Sequence, residues 1–410
     1  MTDRALLQGI RVLEFGQIAA GPYAGSLLAD LGADVVKVER PDEGDGMRNW
    51  PPLSPNPEGR VYSENFASLN RNKRSVALDL KDDADTLRAL CRTADVIVEN
   101  FRAGVMARNG FGYERLAADN PGLVYCSISG YGQTGPYAKR GAFDVTIQAM
   151  SGLMSVTGEA DGGPVKCGVP VGDFCAGLYA AYAVAAALLR RQHTGKGAFI
   201  DCSMLGSLIG VSALQTSEYF GTGRSAGRLG SAHPRNAPYQ AFRAADDYFV
   251  IAAGNDKLWR SVCDAVGQPE LAERPEFATQ PMRARNQAQL AETLERAFRE
   301  KPARHWLAEM DRLGVPASPI NRFSDVLQDP QVEHLGLVRE MELPNGVKTR
   351  TTAFPLQISD FEFEIQRPPP ELGQHTEEVL DEWNGAARRG RARGGAALPM
   401  EAQVMMRVRS

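Results

Sequence analysis

Short β-branched runs alternate with helical patterns through the first 200 residues, and this alternation limits what the chain can become. IRVLEF, PYAGSLLADLG, DVVKVE, TLRALCRTA, DVIVEN and LVYCSI follow one another in order. Strands separated by helices predict parallel pairing through crossover connections, so the expected class is α/β. DVVKV and DVIV are apolar on both faces, as strands covered by helices on each side must be. From Gly177 to Arg191 an Ala- and Leu-rich stretch predicts a long core helix that stops at Gly195. VPVGD then places Asp173 at its N-cap.

A chain of 410 residues exceeds what one hydrophobic core usually serves, so two domains are expected. GTGRSAGRLGSAHPRNAP reads as a loop. After it, YQAFRAADDYFVIAAG predicts a hairpin turning at Ala-Ala-Asp-Asp, followed by three amphipathic helices. The expected layout is a large domain over 1–200, a linker over 201–224 and a small α+β domain over 225–325. The chain then returns to the large domain over 326–384, where Asn345-Gly346 predicts a tight hairpin. An Arg-rich tail over 385–410 is expected to be disordered.

Composition narrows the function by exclusion. A net charge of −4 gives no global field for nucleic acid or anionic membrane, so neither is an expected partner and any anion site must be local. No stretch reaches the ~18 to 20 uninterrupted apolar residues of a membrane span, and the start lacks an export signal; a cytoplasmic location is expected. The six cysteines and five histidines are scattered without metal-ligand spacing, so no metal is expected and the thiols read as reduced.

The opening unit, EFGQIAAGPYAGSLLADLGADVVKVER, has the strand, glycine turn, helix, strand and acid of a nucleotide-binding βαβ unit. Gly16, Gly21 and Gly25 do not make GxGxxG, however, and the dinucleotide fingerprint fails. Glu39 sits where a ribose contact would be, and Arg40 where a ribose phosphate would be held. Further cations gather in loops: Arg71, Lys73 and Arg74; Arg102 and Arg108; Lys139 and Arg140. A ligand with several phosphates would account for them, and so would an ordinary charged surface. Asp173 has two compatible readings, as a helix cap or as a carboxylate nucleophile kept ionised by the helix dipole.

Together RVLEFGQIAAGPYAGSLLADLGADVVKVERP, NRNKRSVALDL, ADVIVENFRAGVMARNGFG, ISGYGQTGPYAKRGAFD, GVPVGDFCAGLYA and HTGKGAFIDCSML resemble the family III CoA-transferases and the related α-methylacyl-CoA racemases, from about Ile10 to about Asp360. The resemblance implies that Asp173 is the catalytic aspartate and that Gln17, Ile18 and Ala19 lie along the pantetheine. By the same likeness Arg40 stands near the ribose phosphate, and Asn72, Lys73, Arg74, Asn100, Phe101 and Arg108 contact coenzyme A. It also implies a Rossmann-like large domain, an interlocked ring-like homodimer, and coenzyme A as substrate with no tightly bound cofactor.

Racemase-like members carry a histidine before the aspartate in the segment that here reads GAFD. Phe143 occupies that position and cannot move a proton, which favours transfer over racemisation. His233 and Arg235 suggest a member using succinyl-CoA and a small dicarboxylate, whose second carboxylate an arginine could take bidentately. Trp50 is a candidate wall of the acyl pocket. The alternatives are a racemase of the same fold, an NAD(P)-dependent oxidoreductase, and a CoA-binding protein without activity.

Overall fold

The computed structural model describes residues 5–383; the Arg-rich tail lies outside them. By internal contacts the described residues form two units, one within 5–147, 170–211 and 337–383, the other of 148–169 and 212–336.

The larger unit is built on a six-stranded parallel sheet: β1 Arg11–Glu14, β2 Asp34–Glu39, β3 Lys73–Ala77, β4 Val96–Glu99, β5 Val124–Ser129 and β6 Ala198–Ser203. Their spatial order is β3-β2-β1-β4-β5-β6, and every neighbouring pair is parallel. This is the doubly wound order, whose ligand crevice opens beyond the carboxyl ends of β1 and β4, where the winding reverses. Helix α1, Ala20–Asp30, links β1 to β2, and α2, Ala84–Cys91, links β3 to β4. Leu13, Val36, Val76, Ile97 and Tyr125 from the strands meet Leu87 and Leu90 of α2 in one core, which Val379 and Trp383 close from the far end of the chain. Each fully buried leucine there contributes about 1.5–3 kcal/mol.

Beyond β5 come α3, Asp144–Met150, and the 24-residue α4, Val171–Thr194. Gly195, at φ 67°, ends α4 in the left-handed turn that glycine takes without cost. Gly177 sets how α4 packs: a Cβ there would stand 2.8 Å from the Tyr23 ring and 3.0 Å from the Ala20 carbonyl. The two helices therefore meet backbone to backbone at the start of α1.

The smaller unit pairs β7, Tyr239–Arg243, with β8, Tyr248–Ala252, through the expected turn, and β9, Ala317–Pro319, adds to β8. Helices Asp256–Ala265, Gln287–Phe298 and Ala303–Arg312 pack Trp259, Leu294, Phe298 and Trp306 into its own core. The Asn345-Gly346 hairpin joins β10, Val338–Glu342, to β11, Lys348–Thr352.

Three boundaries differ from the sequence expectation. Residues 201–224 are not a linker: β6 runs into helices Met204–Val211 and Ala213–Thr222, because the apolar run MLGSLIGV continues the helical pattern. Residues 148–169 join the smaller unit, and the return to the larger one falls at 337 rather than 326. Finally, α4 is not wholly a core helix, since Leu178, Tyr182 and Leu189 are exposed.

Candidate active site

At the crevice between β1 and β4 the larger unit holds a cavity of about 350 Å³. Its lining joins the β1–α1 turn (Gln17, Ile18, Ala19), the segment after β4 (Asn100, Phe101, Arg102), Phe143 of the loop after β5, Asp144 at the start of α3, and Asp173 from α4. Sequence reasoning named Asp173, Gln17, Ile18, Ala19, Asn100 and Phe101, and the fold brings these six together.

Asn100 fixes the turn by pairing with both backbone groups of one residue. Its Oδ1 accepts the Gln17 N–H at 2.8 Å and its Nδ2 donates to the Gln17 carbonyl at 2.9 Å. Gly21 allows this approach, since a Cβ there would lie 3.2 Å from the Asn100 side chain. Behind the turn, Lys37 donates to Glu14 at 3.0 Å and pairs with Asp45 at 2.9 Å, with all three side chains fully buried.

Asp173 lies in the first turn of α4 but is not its N-cap. Pro170 holds that position and offers no side-chain bond. The cap comes from outside the helix: Asp144 Oδ1 accepts the N–H of Gly172 at 2.7 Å and of Asp173 at 3.4 Å. The Asp173 carboxylate is left to face the cavity. Burial, reinforced by the Asp144 charge, pushes its carboxyl up to about 6. The net shift is thus upward, opposite in sign to what a helix N-terminus alone would give.

A second polar chain lies beneath the cavity. Glu99 accepts the Phe101 N–H at 2.8 Å and a hydrogen bond from Ser127 Oγ, which in turn accepts from Gln133 Nε2 at 2.6 Å. Burial pushes the Glu99 carboxyl up to about 7.

Other expected ligand residues are placed elsewhere. Lys73 is fully buried at the start of β3, donating to Pro22 O at 2.7 Å and paired with Glu14 at 2.7 Å; burial lowers its ammonium to about 8. Arg74 is bound to Asp34, Glu378 and Glu382. Asn72 donates to Asp30 and accepts from the backbone of Gln366 and Arg367. All three residues sit at the amino end of their strand and serve the packing of the fold. Glu39, the expected ribose contact, is buried and held by Arg48 and Ser75.

Arg40 follows β2 at the ligand end of the sheet but is exposed, paired with Glu43 and Asp42 rather than lining the cavity. Arg108 ends the short helix Val105–Arg108 and is also exposed. Trp50 is half exposed and outside the lining. His233 and Arg235 belong to the smaller unit, where His233 Nδ1 accepts the N–H of Arg235 and Asn236, and Arg235 pairs with Glu218.

The cations that do line the cavity are Arg102 and Arg140, the latter stacked 3.8 Å over Tyr137. Sequence reading grouped both with the loop cations without assigning them to a site. Asp144 was missed; the signal for it was an aspartate opening the helical run VTIQAM, a place where acids favour a helix start.

A half-buried carboxylate at a helix start, facing a crevice with two arginines at the switch point of a doubly wound sheet, suits attack on an activated acyl group of an anionic substrate. The sequence matches CoA-transferase family III over residues 7–376. It is 41% identical to the mouse (Mus musculus) protein named succinyl-CoA:glutarate CoA-transferase, over 92% of this chain and 86% of that one. It is 39% identical to acetyl-CoA:oxalate CoA-transferase of Acetobacter aceti, over 88% and 91%. A crystal structure of a CAIB/BAIF family protein from Brucella suis superposes with a TM-score of 0.82 at 40% identity, covering 92% of this chain and 99% of that one. The chain belongs to CoA-transferase family III and is an enzyme of the CoA-transferase type.

Proposed function

We propose that the chain moves coenzyme A from succinyl-CoA to a small dicarboxylate through covalent intermediates on Asp173. The observation that carries this reading is the Asp173 carboxylate, raised to about 6 by burial and facing the cavity at the switch point. A carboxyl with that value is about 90% ionised at pH 7, yet more basic than an ordinary aspartate. It is both available and a better nucleophile.

One Asp173 oxygen attacks the thioester carbonyl, the C–S bond breaks, and a mixed anhydride forms as the thiolate of coenzyme A leaves. The bound thiolate then attacks the aspartyl carbonyl, releasing the donor acid and leaving an aspartyl thioester. The acceptor carboxylate attacks in turn, expelling the thiolate and giving a second anhydride. Attack of the thiolate on the acceptor's carbonyl releases the new acyl-CoA and regenerates Asp173. Water must stay out, since each intermediate is hydrolysable.

Arg102 and Arg140 supply cations for the anionic groups that such substrates bring. Relatives named for glutarate and for oxalate support a dicarboxylate acceptor. Phe143 at the cavity wall, where a racemase would need a base, supports transfer. The reading includes a homodimer, supported by the exposed apolar residues Leu178, Tyr182 and Leu189 along α4; light scattering of the purified protein tests it.

The experiment for the central step is mass spectrometry of the protein incubated with succinyl-CoA. An adduct that maps to Asp173 and exchanges on addition of glutarate is expected. Full exchange activity in Asp173→Asn would sink the proposal.

A further inference from the structure

Ile18 is where the turn after β1 leaves ordinary backbone geometry. Its φ is 65°, in the left-handed region that β-branched residues avoid. Such a conformation persists only where the surroundings hold it. The holder is Asp45, whose two carboxylate oxygens each lie 3.1 Å from the Ile18 N–H that donates to them.

Asp45 is in turn held on every side. It is 1% exposed, accepts the Met47 N–H at 2.9 Å and pairs with the buried Lys37 at 2.9 Å. Lys37 also donates to Glu14 at 3.0 Å and to the Gly16 carbonyl at 2.7 Å. Burial acts to raise the Asp45 carboxyl, and Lys37 together with the N–H groups of Met47 and Ile18 outweighs it, keeping the group below the ordinary aspartate range. A buried ion pair adds little net stability over an apolar pair of the same shape. What this one fixes is a single strained peptide on the wall of the cavity that Asp173 faces.

We propose that Asp45, clamped by Lys37, is a positioning residue for the transfer reaction, holding the Gln17–Ile18 turn in the left-handed conformation against the reacting thioester. This rests on the reading of Asp173 given above. Asn100 fixes the N–H and carbonyl of Gln17 from one side and Asp45 fixes the Ile18 N–H from the other, so the turn keeps its shape without substrate. A thioester docked against it meets a wall already in place, and small displacements of such a wall are costly in rate.

The test compares Asp45→Asn, Ile18→Gly and the double variant in the full chain, measuring kcat and KM for exchange between succinyl-CoA and glutarate, normalised to folded protein. Asp45→Asn is expected to lower kcat about tenfold or more, with KM for the acyl-CoA changing less than about threefold. Glycine takes a φ of 65° freely, so adding Ile18→Gly to Asp45→Asn is expected to raise kcat about threefold or more. A lower melting temperature with unchanged kcat in Asp45→Asn, or a kcat loss that Ile18→Gly does not relieve, overturns the proposal.

If Asp45→Asn does not fold, Asp45→Glu decides. It keeps the charge beside Lys37 while moving the oxygens by one methylene, and the same tenfold loss is expected; full kcat overturns. A wild-type protein with no exchange activity and no adduct on Asp173 removes the functional reading and this proposal together. A wild-type protein that transfers while Asp45→Asn runs at full speed removes this proposal alone.

Discussion

Asp144 caps the helix that carries Asp173: its Oδ1 accepts the Gly172 N–H at 2.7 Å, which sets two carboxylates at one helix start. The arrangement has opposing effects. The cap stabilises α4, while the negative charge makes ionisation of Asp173 harder, adding to the effect of burial. Asp144→Asn keeps an acceptor for the Gly172 N–H and removes the charge. The acid limb of the pH–rate profile is therefore expected to move to lower pH, with the melting temperature little changed. Asp144→Ala removes the cap as well and is expected to cost about 1 kcal/mol by urea denaturation. An unchanged acid limb in Asp144→Asn would show that burial alone sets the Asp173 carboxyl.

With its carboxyl near 6, Asp173 must lose its proton before it can attack. Exchange activity at saturating succinyl-CoA is expected to rise tenfold per pH unit below about 5.5 and to level off above about 7. The midpoint is read from kcat against pH. A midpoint near 4, the value of an exposed aspartate, would contradict the burial of this group.

The same shift has a consequence for stability, and its sign is opposite to that of a salt-bridged aspartate. Between about pH 4 and 6 the unfolded chain has released the Asp173 proton while the folded chain keeps it, so folding stability falls as pH rises through that window. Asp173→Asn removes the titration. Relative to wild type the variant is expected to gain about 1–2 kcal/mol at pH 7, and much less at pH 4. Denaturant melts at the two pH values measure this; equal gains at both would reject the linkage.

Much of this was legible in the sequence because the governing contacts are local. β-Branched runs spaced by helices give a parallel sheet whatever their partners, and the turn after β1 falls at the ligand end of any such sheet. Charges were less legible. Lys73 and Arg74 look like free cations along the chain, yet their partners sit on other strands of the same sheet, Glu14 on β1 and Asp34 on β2, the latter 40 residues from Arg74. Only strand order reveals that these charges are already neutralised. Asp144 was hidden for the same reason, since its bond to the α4 start spans 28 residues. Arg40 shows the limit from the other side: its position after β2 follows from the sequence, and its pairing with Glu43 does not.

Gly25 offers a test of the buried network under the cavity. It lies on the face of α1 turned toward β1, where a Cβ would stand 1.9 Å from Glu14 Oε2 and 3.4 Å from Lys73 Nζ. The helix itself would welcome alanine, which is favoured over glycine by about 1 kcal/mol in a helix interior. Sterics must therefore outweigh propensity. Glu14 cannot retreat without leaving Lys73 and Lys37, both fully buried and both paired to it, and breaking a buried pair costs about 3–5 kcal/mol. Gly25→Ala is thus expected to destabilise the protein by at least about 2 kcal/mol in urea denaturation despite its better helix propensity. A Gly25→Ala protein as stable as wild type would mean that Glu14 has room to move, and that the polar network behind the β1–α1 turn is looser than these distances require.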